Sequence, residues 1–318
     1  MSPRKNNAPM LQDVPFSMYD AFTDIPYSGS QAAVVLNASP IILKYRLRIA
    51  REIGAPATAF VNEITGNRIK VQFFSTVMEL SMCGHGTVCL ITKLVDYGLL
   101  PCAGRNWHVA ILELPKGAAK VEYRKIKDGR CEVMLDVSTA TFNPANLDLA
   151  ALAKILNIDA NDISEEFSPE IATGDFTHLC LPLRDLSAMG RLHPDFDALR
   201  KFCISNRIET VAAFSTEVVN AEKNIHVRDF CPAVGVAESA AAGTTNAALS
   251  TYLWRHNCLR ADDAGCIIVY AEQGIELGRP SQVTTRIKIK NEQIIRLQVG
   301  GIATRIIKGT LNVEMGPP

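Results

Sequence analysis

Residues 75–95 read STVMELSMCGHGTVCLITKLV, and the reading of this stretch decides the fold. A strand at 70–75 runs into a turn at Cys83-Gly84-His85-Gly86-Thr87. The 17 residues from Thr76 to Thr92 carry one charge, Glu79. Val88, Ile91, Leu94 and Val95 recur at helical spacing, which predicts a helix over 84–94. Its other faces carry Cys89, Leu90 and Thr92 rather than charges, so the helix should be buried nearly all round. Its first turn holds two glycines, a thiol, an imidazole and a hydroxyl. Open backbone N–H groups there form a site for an anion, and a helix N-terminus would lower the pKa of the Cys83 thiol.

A second stretch repeats the design. A strand at 227–230 precedes Cys231-Pro232 and then VAESAAAGTT at 236–245. An uncharged helix follows over 244–252, with Ala248, Leu249 and Tyr252 on one side. Strand, small-residue turn and buried helix thus occur twice. Such a long-period repeat predicts two similar lobes, each wrapped around its own helix, with both helix N-termini facing one cleft. The fold class expected is α+β: two pseudo-symmetric lobes, each an antiparallel barrel-like sheet around a central helix.

Outward from these stretches, residues 1–13 read as a disordered polar tail without a secretory apolar region. Residues 14–136 form the first lobe, completed by a C-terminal strand at 303–316. Residues 136–146, DVSTATFNPAN, read as a linker rich in turn residues, and 146–300 form the second lobe. A further helix is expected over about 40–54, marked by Ile42, Tyr45, Ile49 and Ile53 and stopped by Gly54.

The bulk numbers narrow the function classes. With 318 residues, 47% hydrophobic and 21% charged, the chain is an ordinary globular protein. Its net charge is zero, which leaves no basic field for nucleic acid or an acidic membrane. No apolar run approaches the roughly 20 residues of a membrane span. Nine scattered cysteines without a CxxC pair point to reduced thiols in the cytoplasm rather than a disulfide framework or zinc site. There is no dinucleotide fingerprint, Walker loop or spaced His/Cys set, so no cofactor and no metal is expected.

Five segments, YDAFTDIPYSGSQAAVVL (19–36), CGHGT (83–87), RDFCPAVGVAES (228–239), EQGIELGRPS (272–281) and VGGIA (299–303), occur in one order along nearly the whole chain. They resemble the PhzF-like, phenazine-biosynthesis-type isomerases, which share the two-lobed fold of diaminopimelate epimerase and proline racemase. The resemblance implies a cofactor-independent proton shift that relocates a double bond in a small conjugated acid of secondary metabolism. Dihydro-hydroxyanthranilate and alkylproline precursors of antibiotics are the substrate classes it suggests, and it implies a homodimer. The family glutamate that moves the proton falls at Ala57, the family aspartate of the second turn at Ser239, and the family asparagine of the first turn at Ser30. Position 242 is alanine, so a symmetric two-thiol racemase is disfavoured.

The candidate catalytic residues are Cys83 and His85, each weighed against a packing or structural role. Candidate substrate-binding residues are Tyr19, Ser30 and Ala57 on the first-lobe side, with Gly84, Gly86 and Thr87 of the first turn. Ser239, Gly243, Thr244 and Thr245 belong to the second turn, where the threonines read equally as helix caps. Asp175 and its neighbour His178 are candidates to face the cleft. Glu79 reads equally as a cap or a catalytic group, Asp229 as an ion-pair partner of Arg228, and Arg279 as a structural turn residue. An isomerase is the first reading; an epimerase using Cys83, or a ligand-binding protein without catalysis, are the others.

Overall fold

The computed structural model describes residues 11–314. The first lobe runs β1 (Leu11–Ala21), β2 (Ser30–Val35), α1 (Leu43–Ile53), β3 (Ala57–Thr65), β4 (Arg68–Phe74), β5 (Glu79–Leu80), α2 (Gly84–Asp96), β6 (His108–Leu114), β7 (Gly117–Lys125) and β8 (Cys131–Asp136). The second runs β9 (Thr141–Pro144), α3 (Leu149–Leu156), β10 (Glu170–Thr173), β11 (Thr177–Pro182), α4 (Leu186–Arg191), α5 (Phe196–Ser205), β12 (Thr210–Ser215), β13 (Ile225–Cys231), β14 (Val236–Ser239), α6 (Gly243–Arg255), β15 (Cys266–Gln273), β16 (Ser281–Lys290) and β17 (Gln293–Gly301). The last strand is β18 (Ala303–Glu314).

The two lobes repeat one pairing order. In the first, β1–β2 is antiparallel, β2–β3 parallel, β3–β4 antiparallel, β4–β6 parallel, and β6–β7–β8 antiparallel. In the second, β10–β11, β11–β12, β12–β13, β13–β15 and β15–β16–β17 follow the same alternation. The parallel steps are the exceptions within the expected, mostly antiparallel barrel-like sheets. A parallel pair needs a long crossover, and α1, α2, α4 with α5, and α6 supply one at each step. The lobes join where β8 meets β17, with Asp136 opposite Gln298.

Each lobe is closed by a strand from beyond the other's last strand. β18 follows β17 but pairs with β1 along its whole length. β9 follows β8 but pairs with β10. Two expected boundaries therefore move. The stretch read as a linker contains β9, because Thr141–Pro144 find an open strand edge in β10. Leu11, Gln12 and Asp13, read as tail, open β1 opposite Glu314, Val313 and Asn312. The rest of the expected tail, and residues 315–316 of the expected closing strand, lie outside the described residues.

The central helices are buried as their sequences require. In α2 every residue from Gly86 to Leu94 is buried, and in α6 every residue from Thr245 to Leu253. Val88, Leu90, Ile91 and Leu94 sit at the centre of the first-lobe core, and Leu249, Tyr252 and Leu253 at that of the second. Each such side chain contributes roughly 1.5–3 kcal/mol. Lys93 is the exception to the apolar pattern of α2. It is fully buried, its ammonium donating to Ser17 Oγ (3.0 Å) and the Val34 carbonyl (3.1 Å), and burial pushes its pKa down to about 8. The remaining helices lie outside: α1 on β3 and β4, and α3, α4 and α5 on the back of β11 and β12.

Candidate functional site

α2 and α6 touch at the centre of the molecule. Ala241, just before α6, packs in the same buried cluster as Cys83 and Ala57. Gly84, His85, Gly243 and Thr244, at the two helix starts, are only half-buried. Both helix starts are thus partly open to solvent, and the two helices they begin are in contact.

Neither N-terminus is capped. The N-cap residues are Cys83 and Ala242, neither side chain bonds the first turn, and neither first turn holds an acid. The contrast lies within the same chain. α3, α4 and α5 start at Asp148, Asp185 and Asp195, each accepting from a backbone N–H of its first turn. Of the other α-helices among the described residues, α1, at Ile42, alone shares the uncapped start. A helix N-terminus carries about half a positive charge and unpaired N–H donors. Each such start offers donors to an anion.

At the first turn, Cys83 Sγ lies 3.6 Å from His85 Nδ1 and 3.7 Å from Nε2. The expected lowering of the thiol pKa is overturned. Burial pushes Cys83 up to about 12, and the Gly86 N–H offsets only part of that. The physical reason is the desolvation of a buried thiolate, which one backbone donor does not repay. Burial likewise pushes His85 down to about 4. The resting pair at neutral pH is a thiol beside a neutral imidazole.

The two glycines of this turn do different jobs. A Cβ at Gly86 would stand 3.0 Å from Cys83 Sγ and 3.1 Å from the Phe73 ring, whereas one at Gly84 would meet nothing. Gly86→Ala is expected to destabilise by roughly 1–3 kcal/mol through overpacking. Gly84→Ala should change stability by less than about 1 kcal/mol while adding a methyl group at the start of α2. Urea unfolding of the two variants checks this, and the reverse order would refute the packing described.

The second turn is held by EQGIELGRPS. Gln273 is fully buried; its Oε1 accepts from Ala242 N (3.3 Å) and Asn246 Nδ2 (2.8 Å), and its Nε2 donates to the Ser239 carbonyl (2.8 Å). Ser281 Oγ donates to the Ala240 carbonyl at 2.9 Å. Gly274 (φ +75°) is required, since a Cβ would stand 2.6 Å from the carbonyl oxygens of Ala240 and Arg279. Arg279 reaches the other lobe, donating to the Gly29 carbonyl and to Asp20 and Ser28 at 2.8 Å each.

Glu272 and Glu276 of the same segment clasp His226, which is 1% exposed, at 2.7 and 2.8 Å from its two ring nitrogens. Burial lowers the His226 pKa, but the bonds to Glu276 and Glu272 outweigh it and raise it overall. The raised group stabilises the fold fully below its unfolded pKa of about 6.5. That contribution is lost as pH rises through the folded value. Glu276 is lowered overall: burial alone would raise it, but His226 outweighs that. Its own share is therefore lost as pH falls through its folded value. His226→Gln should thus cost most stability between about pH 4.5 and 6.5 and less in alkali. Chemical denaturation of both proteins across pH measures this, and a difference independent of pH would show the imidazole to be uncharged.

The candidate residues divide as follows. Gly84, His85, Gly243 and Thr244 are half-buried at the two helix starts, and Cys83 and Gly86 are buried. Ser30 and Ala57 begin β2 and β3, both buried, with Ala57 in the Cys83 cluster. Thr87 is fully buried with its hydroxyl unpartnered. Asp175 and His178 join Thr244 around a small cavity beside α6. Asp175 accepts from Ser138 Oγ at 2.8 Å, and His178 Nδ1 lies 2.7 Å from Thr210 Oγ1.

Several expectations are corrected. Tyr19 is fully buried and donates to Asp96 Oδ2 (3.0 Å) at the far end of α2, so it does not line the site at the helix starts. Thr245 does not cap α6; its hydroxyl donates to Asp229 Oδ2 at 2.9 Å. Asp229 does not pair with Arg228, because adjacent strand residues face opposite sides. Arg228 instead forks onto Glu238 with two bonds of 2.9 Å. Glu79 is exposed on β5, bonded by Gln72 Nε2 at 2.8 Å, and caps nothing. The roles of Gln273 and Asn246 went unread; a glutamine and an asparagine in apolar surroundings were the signal. A larger apolar groove lined by Phe16, Tyr45, Ile49 and Leu311 lies on the outer face of the first lobe, away from both helix starts.

Comparison with known proteins supplies the family and supports the fold. The PhzC-PhzF family model, "Phenazine biosynthesis-like protein", matches residues 19–309. The uncharacterized isomerase YddE of Escherichia coli O157:H7 is 28% identical over 89% of this chain and 93% of its own. The trans-2,3-dihydro-3-hydroxyanthranilate isomerase of Pseudomonas fluorescens is 27% identical over 93% of this chain and 98% of its own. The crystal structure of a PhzF-family protein from Bacillus anthracis superposes with a TM-score of 0.82 at 21% identity, covering 94% of this chain and 99% of that one.

Proposed function

This chain belongs to the PhzC-PhzF family of phenazine biosynthesis-like proteins, a family with relatives named as isomerases, and from that premise we propose its reaction. It shifts a proton, and with it a double bond, within a small conjugated carboxylic or amino acid of secondary metabolism. It does so without a cofactor. The observation that supports this reading is the pair of uncapped helix starts on two helices in contact, one of them carrying a thiol beside a neutral imidazole.

The substrate carboxylate docks on the first turn of α6, at Gly243 and Thr244. Neutral His85 takes a proton from the carbon next to the conjugated system. The negative charge passes into an enolate or dienolate, held by the N–H groups of Gly84 to Gly86 at the start of α2. Imidazolium then returns the proton at the far end of the conjugated system, and the double bond has moved. Cys83, protonated, holds the imidazole and closes the pocket behind it. Ala57 leaves no carboxylate on the first-lobe wall, which favours a substrate other than dihydro-hydroxyanthranilate, such as an alkylproline-type precursor.

Alkylated dehydroprolines and dihydro-hydroxyanthranilate, incubated with the enzyme in heavy water and followed by NMR, test the reading. Deuterium entry with relocation of a double bond supports it. Deuterium at a stereocentre with the double bond in place would assign an epimerase in which Cys83 serves the opposite face. Binding without any exchange would assign a ligand-binding protein.

A further inference from the structure

The second turn holds a carboxyl group that the steps above leave unused. Asp229 lies on β13 and is 1% exposed. Its Oδ2 accepts from Thr245 Oγ1, in the first turn of α6, at 2.9 Å and from Cys231 Sγ at 3.5 Å. Its Oδ1 is buried without a hydrogen-bond partner. Across the ladder stands Ser239.

No cation among the described residues is paired with this carboxyl. Arg228 faces the other side of β13 and is committed to Glu238. The groups around Asp229 are Thr245 from α6, the Cys231 thiol from β13, Ser239 and Glu238 from β14, and Thr210 from β12, whose hydroxyl engages His178 of β11. Burial pushes the Asp229 pKa up to about 6, bonds from Thr245, Cys231 and Thr210 opposing and the Glu238 charge assisting. The Cys231 thiol is pushed well above its ordinary range and stays protonated, first by burial and then by Asp229 itself. Burial pushes His178 down to about 4, which leaves it neutral. With no cation at hand, the positive potential of the α6 N-terminus adds to these bonds in compensating an ionised Asp229. A substrate carboxylate on that turn claims the same potential and adds a like charge, and two close carboxylates resist ionising together.

We propose that Asp229 takes up a proton as the substrate carboxylate docks on α6, acting through Thr245, and that it is the proton-carrying carboxyl of a second lobe that has Ser239 at its turn. The proposal rests on the carboxylate-binding reading of the helix starts. In the empty site Asp229 is largely ionised at neutral pH and occupies the field of the helix start. Once protonated it gives up that field, and its O–H keeps a hydrogen-bonding place among Thr245, Cys231 and Ser239.

Calorimetry of the full chain with pyrrole-2-carboxylate, a flat ring bearing one carboxylate, tests this in buffers of different ionisation enthalpy. Wild type should take up between about half and one proton at pH 7.5, and affinity should fall about three- to tenfold per pH unit around that pH. Asp229→Asn should bind with little proton uptake and a flat pH profile. Absence of uptake by wild type, or the same uptake by Asp229→Asn, overturns the proposal and leaves the helix start as a carboxylate site. The wild-type measurement decides even where the variant fails to fold. No binding by wild type at any pH removes the carboxylate-binding reading and this proposal with it.

Discussion

His85→Ala is expected to lower the rate of proton exchange about 10²–10⁴-fold, the usual worth of a positioned acid–base group, while the protein stays folded. The ring is half-buried at the start of α2, and its hydrogen-bonding partner among the described residues is the Cys83 thiol. Its removal leaves no buried charge behind. The pH profile distinguishes this role from a structural one. Burial holds the His85 pKa at about 4, so the imidazole of the free enzyme is already a base at pH 5. The acid limb of kcat/KM should fall as pH drops through about 4 and disappear in the variant. Cys83→Ser should lower the rate more than tenfold by loosening the imidazole and the wall behind it. Because the thiol is pushed up to about 12, its ionisation adds no alkaline limb near neutrality. Deuterium wash-in followed by NMR gives both rates, and wild-type exchange by His85→Ala would remove the imidazole from the mechanism.

The sequence makes this turn legible for a physical reason. A long segment with one charge, broken by two glycines between a strand and an apolar helix, has few places to go other than the inside of a sheet. The same logic found α6 and hence the two-lobed repeat. Periodicity reports which side of an element is buried but not which distant group it meets. Asp229 and Arg228 illustrate the limit: neighbours in sequence, they face opposite sides of β13, and the partner of each is set by β14 and α6. Tyr19 belongs to a recognisable segment, yet its side chain follows the inward face of β1 to Asp96. The thiol pKa was misjudged because a helix start argues for lowering it while the depth of burial, a property of the folded lobes, argues more strongly for raising it. β9 was hidden for a related reason. Four residues, two of them Asn143 and Pro144, look like a turn until the edge of β10 offers them bonds.

Arg279→Met is expected to destabilise the protein by roughly 3–5 kcal/mol at pH 8, the cost of leaving a buried charge without its partner. Asp20 is fully buried in β1. One of its oxygens accepts from Tyr27 N at 2.8 Å, and the other meets the Arg279 guanidinium at 2.8 Å. The remaining guanidinium bonds go to the Gly29 and Ser28 carbonyls, so one side chain from the second lobe fixes the turn that leads into Ser30. Burial raises the Asp20 pKa even in the presence of Arg279, which opposes it. Without the arginine it should rise further. A carboxyl raised above its unfolded pKa binds its proton more tightly folded than unfolded, so stability falls as pH rises through that window. The loss in Arg279→Met should therefore be smaller at pH 5 than at pH 8. Asp20→Asn in the same chain should restore most of what is lost, since a neutral amide does not demand a cation. Equal losses at both pH values, with no rescue by the second substitution, would mean that Asp20 carries no charge in the folded protein and that Arg279 acts through the carbonyls alone.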